Sequence, residues 1–201
     1  RQLEGTLEGA TAGSSIEIGG DEGHHGARVM RLRPGENILV TDTDGHQVEA
    51  TVTSVSKSSF DIQLCSAPTH EPAPETTFVL VQALAKGGRD ESAIEMATEL
   101  GVDRIVPWQA DRSVVQWKGA KEGKGLEKWR ARINAAVKQS RRARIPVLEP
   151  AVTSDDLASQ IARAADSGST VLALHESATV GLGAHLRDLN LSLIHISEPT
   201  R

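Results

Sequence analysis

The sequence predicts an α/β protein in which a small N-terminal β-barrel is joined to a domain of alternating strands and helices. Three observations lead to this fold class. Short β-branched segments separated by turn residues fill the first part of the chain, and a Pro-rich stretch follows them. Apolar strands then alternate with amphipathic helices. Closely spaced short strands are typical of small barrels, whereas alternating strands and helices predict a mostly parallel sheet.

The N-terminal elements follow from hydrophobic pattern and turn chemistry. A helix is expected over Glu22–Leu32 with Asp21 as N-cap. Val48–Val55 is mostly apolar at every second position, as in a strand with one solvent-exposed face. The turn sequences Arg33-Pro34-Gly35 and Asp42-Thr43-Asp44-Gly45 separate the strands. The expected strands are Ile38–Thr41, Val48–Val55 and Phe60–Leu64.

The second region has longer helices between its apolar strands. Residues 67–76 have the Pro-rich composition of a linker, so we place the domains at 1–66 and 77–190. The expected strands are Phe78–Leu84, Arg104–Trp108, Ile145–Leu148 and Thr170–His175. The expected helices cover about Asp90–Leu100, Leu126–Arg142 and Ser154–Ala165.

Composition excludes several classes of protein. Aromatic residues make up 2% of the 201, so base stacking on aromatic side chains is not the expected mode of RNA binding. The single Cys65 excludes a disulfide framework and a multi-cysteine zinc site. It suits a reducing cytoplasm, the expected location, although a secreted protein can also lack disulfides. No apolar run approaches the length that spans a bilayer, so we expect no membrane partner. His24 and His25 have no partners at metal-ligand spacing, and no metal is expected.

Charge is distributed unevenly along the chain. Residues 1–75 carry a net charge of -7, whereas residues 76–150 carry +5. The segment Lys118–Arg144 contains ten Lys and Arg residues but only two Glu residues. A confined basic stripe on an acidic protein can bind phosphate, although spacing alone favours a solvated helix face.

The predicted helix 126–142 has two faces of different chemistry. Trp129, Ile133, Ala136 and Ser140 share a face suited to packing. On a second face, at 100° per residue, Lys128, Arg132, Gln139 and Arg142 fall within about 80° of one another. Gln139 could pair with an amide-like base edge, and the arginines could hold phosphates in a bidentate manner.

A second candidate site is the loop Lys86-Gly-Gly-Arg89. It lies between the carboxyl end of a strand and the start of a helix, a common ligand position in α/β sheets. Asp90 and Glu91 already supply negative charge to that helix terminus, so a simple capped turn is the alternative. Gly119-Ala-Lys-Glu-Gly-Lys124 lacks the glycine spacing of a phosphate loop.

Three blocks of the sequence resemble the ribosomal RNA small subunit methyltransferase E family. They are HGARVMRLRPG at His25–Gly35, KGGRDESAIEMATELGVDRIVP at Lys86–Pro107 and WRARINAAVKQSRRARIP at Trp129–Pro146. The resemblance extends from His24 to Ala178, and the segment Pro107-Trp-Gln-Ala110 resembles the sequence of actinobacterial members. It implies an RNA-binding PUA-like barrel followed by a SPOUT domain with a trefoil knot.

The resemblance also implies an activity and its partners. Family members are homodimers that use S-adenosylmethionine to methylate N3 of a uridine in 16S ribosomal RNA within the small subunit. The family's Gly-Pro-Glu-Gly-Gly cofactor loop has no match here, so the SPOUT domain is expected to be partial, its knot incomplete, and donor binding by these 201 residues weak or absent. The alternative is a non-catalytic RNA-binding or ribosome-assembly factor with the same barrel and basic helix.

Candidate residues follow from the matched blocks. Arg142 and Gln139 are expected to orient the target nucleotide, and Lys86 and Arg89 to add positive charge near it; no general base is identified. The end of the first knot strand, Leu174-His175-Glu176, is the expected cofactor contact. The residues expected to hold RNA phosphates are Arg31, Arg33, Lys128, Arg132 and Arg144.

The last eleven residues are interpreted differently. Leu191–Arg201 resembles the translation of a sequencing-library adapter along its whole length. We therefore expect the natural sequence to diverge near Asn190, with a natural C-terminus as the alternative, and His195 and Glu198 carry no functional prediction.

Overall fold

The computed structural model describes residue 3, residues 5–174, residues 179, 181 and 183, and the backbone of residues 193–197. Contacts divide the chain into two compact units. The first comprises Arg1–Ala73 with Arg141–Ile145, and the second Pro74–Ser140 with Pro146–Arg201. The five residues of Arg141–Ile145 therefore belong to the first unit although they follow the helix of the second in sequence.

The first unit is built on an antiparallel sheet. Its strands are β1 (Ser15–Ile18), β2 (Asn37–Thr41), β3 (His46–Val55), β4 (Phe60–Leu64) and β5 (Thr69–His70). They lie in the order β1-β4-β3-β2, with β5 paired to β3. Along β3, Val48, Ala50 and Val52 are buried while Glu49 is exposed, which confirms the predicted alternation. Phe60 and Ile62 of β4 complete the core from the neighbouring strand.

The short helix of the first unit differs from the prediction. Helix α1 (Gly20–His24) continues as a π-helical segment over His25–Val29, and Gly19 is its N-cap without a side-chain hydrogen bond. Asp21 lies inside the first turn, so its predicted capping role is wrong. Close packing selects the glycine in this helix, since a Cβ on Gly26 would overlap the ring of Phe60.

The second unit contains a parallel sheet, which confirms the predicted mostly parallel sheet. Its strands are β6 (Val79–Ala83), β7 (Arg104–Gln109), β8 (Val147–Leu148), β9 (Val152–Thr153), β10 (Thr170–Leu174) and β11 (Leu193–Ser197). They lie in the order β10-β11-β6-β7-β8, with β9 also paired to β7. Its helices are α2 (Arg89–Glu99), α3 (Ala120–Ser140) and α4 (Ser154–Asp166).

Strand β11 comes from the segment interpreted as adapter-derived. Its backbone pairs in parallel with β10 on one side and with β6 on the other. Short apolar β-branched segments have the residue types that fit a sheet whatever their origin. The origin of the tail and the incompleteness of the knot thus stay predictions, and most of residues 175–192 lie outside the described residues.

Candidate functional site

The Lys86–Arg89 loop follows β6 directly, as the sequence predicts. Gly87 and Gly88 have φ values of 70° and 77°, in the left-handed region that glycine tolerates best, and α2 begins at Arg89. The Asp90 carboxylate is only 5% exposed and accepts hydrogen bonds from the amides of Ala85 (3.3 Å) and Glu91 (2.9 Å). These bonds close the turn, and the side chains of Lys86 and Arg89 remain exposed.

The segment after β7 is fixed beside this loop. The buried Ser113 hydroxyl donates to the Leu84 carbonyl (2.8 Å), and the Trp117 amide donates to Gln109 Oε1 (2.7 Å). Since β6 and β7 are parallel, their carboxyl ends lie at the same edge of the sheet. Ser113 and Gln109 were missed in the sequence because no spacing or motif marks a loop serine or glutamine as an anchor.

The predicted cofactor contact lies at the end of β10. Leu174 is the last residue of this strand, and 38% of it is exposed. Strand β10 runs parallel to β6 with β11 between them, so Leu174 and the Lys86–Arg89 loop share one edge of the sheet. His175 and Glu176 lie outside the described residues.

Helix α3 buries the face that the sequence assigns to packing. Trp129, Ile133 and Ala136 are each 1% exposed, and the Trp129 ring makes an edge-to-face contact with Trp117 at 5.3 Å between centroids. The Ser140 hydroxyl donates to the Ala136 carbonyl at 2.7 Å. The predicted inner face is confirmed.

The basic face of α3 carries ion pairs with α2. Lys128 Nζ lies 2.7 Å from Glu91 Oε1, and Arg132 lies 3.8 Å from Glu91 Oε2 and 3.4 Å from Glu95 Oε2. The Lys128 and Arg132 side chains remain 67% and 44% exposed. The Glu91 side chain is 12% exposed and that of Glu95 is 37% exposed. Because both cations are exposed to solvent, their ion pairs contribute about 0–1 kcal/mol, and a phosphate can compete for them.

The predicted grouping of Gln139 with Arg142 on one helix face is wrong. Helix α3 ends at Ser140 rather than at Arg142. Arg141 adopts a left-handed conformation with φ of 56°, the geometry that commonly follows the last turn of a helix. Gln139 is exposed on the final turn, whereas Arg142 is half-buried in the Arg141–Ile145 segment of the first unit.

Arg144 has partners that the sequence did not reveal. Its Nε and Nη2 atoms donate to the Glu71 carbonyl at 3.2 and 2.7 Å, and Nη2 lies 3.3 Å from His70 Nε2. All of these residues belong to the first unit. The guanidinium is therefore engaged with the protein itself.

Arg31 and Arg33 are exposed on the first unit, around the end of its helix. Arg31 has a φ of 54°, and the amide of the next residue, Leu32, returns to the Gly26 carbonyl at 3.1 Å. The Glu36 amide donates to the Arg33 carbonyl and closes the predicted turn. Both arginines thus project from tightly defined backbone.

One buried carboxylate has a clearly altered acidity. Burial of Asp42 raises its pKa, but hydrogen bonds from the amides of Leu7, Asp44 and His46 and from the His46 ring outweigh burial, so the pKa lies below its ordinary value.

Within the described residues no group of three potential metal ligands occurs. No helix of the described ranges is long and apolar enough to cross a membrane.

Comparison with known proteins accounts for both units. A family described as an RNA methyltransferase domain matches residues 71–193, and one described as an RNA methyltransferase PUA domain matches residues 18–65. The chain belongs to the RNA methyltransferase family. The resemblance to ribosomal RNA small subunit methyltransferase E is confirmed, as is the fold class of a PUA-like unit followed by a SPOUT α/β unit.

Individual relatives support the same assignment. The ribosomal RNA small subunit methyltransferase E of Mycobacterium bovis is 39% identical over 168 residues, which are 83% of this chain and 63% of that protein. The Neisseria gonorrhoeae enzyme of that name, solved bound to S-adenosyl methionine, superposes with a TM-score of 0.83 at 23% identity, over 96% of this chain and 78% of that one. A Legionella pneumophila methyltransferase in complex with SAM gives 0.79 at 25%, over 98% and 77%. This chain thus spans less than two thirds of the mycobacterial relative.

Proposed function

We propose that the protein transfers a methyl group from S-adenosylmethionine to N3 of a uridine in small-subunit ribosomal RNA. The observation that carries the proposal is the pair of family matches, an RNA methyltransferase domain over residues 71–193 and its PUA domain over residues 18–65. The name of the mycobacterial relative supports the substrate, and the SAM complex of the Legionella methyltransferase supports the donor.

The described residues fit a nucleoside donor at the carboxyl edge of the parallel sheet. Leu174 offers an exposed apolar side chain at the end of β10, suited to the adenine base. Leu174, His175 and Glu176 are the residues we assign to holding the donor, which supplies the methyl group. No metal is needed for this chemistry.

Methyl transfer from a sulfonium is an in-line displacement, so the protein has mainly to align the two reactants. Uracil N3 carries a proton at neutral pH, and its loss must be assisted or the resulting anion stabilised. We assign Arg142 and Gln139 to orienting the uridine, and the exposed cations Lys86 and Arg89 to stabilising negative charge on the base.

The remaining exposed cations are assigned to the RNA backbone. Arg31 and Arg33 lie on the PUA-like unit, and Lys128 and Arg132 on α3, where the glutamates of α2 hold them until phosphate replaces the carboxylate.

We further propose that the protein acts on the small ribosomal subunit in the cytoplasm as a homodimer. We also propose that the two domains cover residues 1–66 and 77–190, with residues 67–76 as the linker between them.

The test uses a full-length gene product that contains the cofactor loop. It is incubated with methyl-labelled S-adenosylmethionine and small subunits that lack the modification, and the RNA is digested to nucleosides. We expect label in N3-methyluridine. Tight RNA binding without label would instead support the non-catalytic RNA-binding or assembly factor.

A further inference from the structure

A network of hydrogen bonds in the first unit is centred on the turn between β2 and β3. Asp42 is 2% exposed, and its carboxylate accepts hydrogen bonds from the amides of Leu7 (3.0 Å), Asp44 (3.0 Å) and His46 (3.1 Å). An ionised carboxylate with several donors is a strong local organiser. The Asp42 carboxylate therefore stabilises the conformation of its own turn.

Two histidines extend the network from the buried carboxylate towards Arg144. His46 Nδ1 lies 2.7 Å from Asp42 Oδ2, and the His46 and His70 rings are 4.5 Å apart at 40°. Strand pairing places these two residues opposite each other, since His46 of β3 is in register with His70 of β5. His70 Nε2 then lies 3.3 Å from Arg144 Nη2. A guanidinium can only donate, so His70 accepts at this nitrogen.

The turn also leaves space for the Arg144 guanidinium. Gly45 has a φ of 107°, and a Cβ there would lie 2.5 Å from the Glu71 carbonyl oxygen and 2.7 Å from Arg144 Nη2. Any other residue at this position would displace the hydrogen-bonded pair of Arg144 and Glu71. Gly45 is thus required by both backbone conformation and close approach.

The backbone around Arg144 is attached to the same turn. Asp44 and Arg144 form an antiparallel bridge, and the Ile145 amide lies 3.4 Å from the Thr43 carbonyl. Side-chain and backbone contacts together fasten Arg141–Ile145 to the first unit. Arg142 lies two residues before the fastened position.

We propose that Arg144 is a positioning residue that clamps the Arg141–Ile145 segment and so sets the place of Arg142, rather than a phosphate-binding residue. The Nε–Nη2 edge of its guanidinium is engaged by a backbone carbonyl and a histidine, and a phosphate that bound this edge in a bidentate manner would have to displace both. The role of Arg142 that this inference uses rests on the proposed function.

The first test is amide hydrogen exchange of the 141–145 segment in the full-length protein without RNA or donor. Arg144→Lys keeps the charge but loses the fork that reaches Glu71, and we expect exchange there to rise on the order of tenfold. Gly45→Ala removes no charge and should produce the same change by displacing the guanidinium. Arg163→Lys, on the exposed side of α4, is the matched control and should leave exchange unaltered.

The second readout is steady-state methylation by the same proteins. Arg144→Lys should lower kcat while the salt dependence of RNA binding stays normal. Unchanged exchange with a raised KM would overturn the clamp and make Arg144 a phosphate anchor. Faster exchange with a normal kcat would overturn the positioning role. If Gly45→Ala does not fold, Arg144→Lys alone decides. If the unsubstituted protein does not methylate, faster exchange still supports the clamp, and the proposed function is what has failed.

Discussion

Arg132 on α3 and Arg144 in the Arg141–Ile145 segment belong to the same basic stretch of sequence, yet the structure gives them different partners. Arg132 is 44% exposed and pairs with the side-chain carboxylates of Glu91 and Glu95, which are 12% and 37% exposed. Arg144 donates twice to the backbone carbonyl of Glu71 and contacts His70. A side-chain carboxylate can move aside for phosphate by changing its rotamer. The Glu71 carbonyl belongs to a main chain that is itself held, because the Glu71 amide donates to the Gly45 carbonyl at 2.8 Å.

The partner of a cation therefore indicates its role better than the local charge does. Exchanging an exposed ion pair for a phosphate costs about 0–1 kcal/mol of lost pairing. Pulling Arg144 from its site would break three contacts at once, two to the Glu71 carbonyl and one to the His70 imidazole. We accordingly assign the α3 surface to RNA and the 141–145 segment to alignment.

The largest effect is expected at Arg142. Arg142→Ala should lower kcat of the full-length enzyme by about a hundredfold, because misplacing the acceptor nitrogen by about 1 Å can cost that factor. Arg31→Ala is the comparison variant, since loss of one phosphate contact should raise KM and leave kcat near normal. Both are measured by steady-state methylation of unmodified small subunits. A normal kcat with a raised KM in Arg142→Ala would place Arg142 among the phosphate contacts.

The turn that supports the segment should be sensitive to acid. Hydrogen bonds keep the pKa of Asp42 below its ordinary value, so its ionised form stabilises the folded unit. This contribution is complete above the ordinary pKa and is lost as pH falls through the lower folded value. Asp42→Asn should cost roughly 1–3 kcal/mol of unfolding free energy near neutral pH, with the difference shrinking under acid.

Denaturant unfolding of Asp42→Asn at several pH values checks this prediction. Asp156→Asn is the matched control in the second unit, where Asp156 accepts hydrogen bonds from Thr153 at the start of α4 and is exposed. Its substitution should leave hydrogen exchange of residues 141–145 unaltered. An Asp42→Asn protein as stable as the parent at neutral pH would show that the network does not hold the turn.

A smaller effect is expected at the carboxylate that pairs with both α3 cations. Glu91→Gln removes the negative charge beside Lys128 and Arg132, and RNA affinity should rise about two- to fivefold at low salt. Glu99→Gln, on the exposed last turn of α2, is the control for a general change of net charge. Equal gains in the two variants, measured by RNA titration, would show that only overall charge matters.

Much of the scaffold was predictable because it depends on local pattern. The alternation of Val48, Ala50 and Val52 predicted a strand with one buried and one solvent-exposed face. The spacing of Trp129, Ile133 and Ala136 predicted the buried face of α3. Strands β1 and β5 were missed, since Ser15–Ile18 is short and Thr69–His70 lies in a Pro-rich stretch whose pairing with β3 is not local.

The site was less predictable, for two physical reasons. The end of α3 was placed two residues late because Arg141, not a glycine, takes the left-handed conformation. Asp42-Thr43-Asp44-Gly45 was recognised as a turn, but its partners Leu7 and Arg144 are distant in sequence. Charge patterning identifies basic residues, and only tertiary contacts separate those that hold the chain from those that hold a ligand.

The most direct test of this separation is the salt dependence of RNA binding by two matched variants, Arg132→Ala and Arg144→Ala, in the full-length protein. Each phosphate contact contributes about one unit to the slope of log affinity against log salt concentration. We predict that Arg132→Ala reduces the magnitude of the slope by about one and that Arg144→Ala leaves it unchanged. A slope reduced in Arg144→Ala but not in Arg132→Ala would contradict the account.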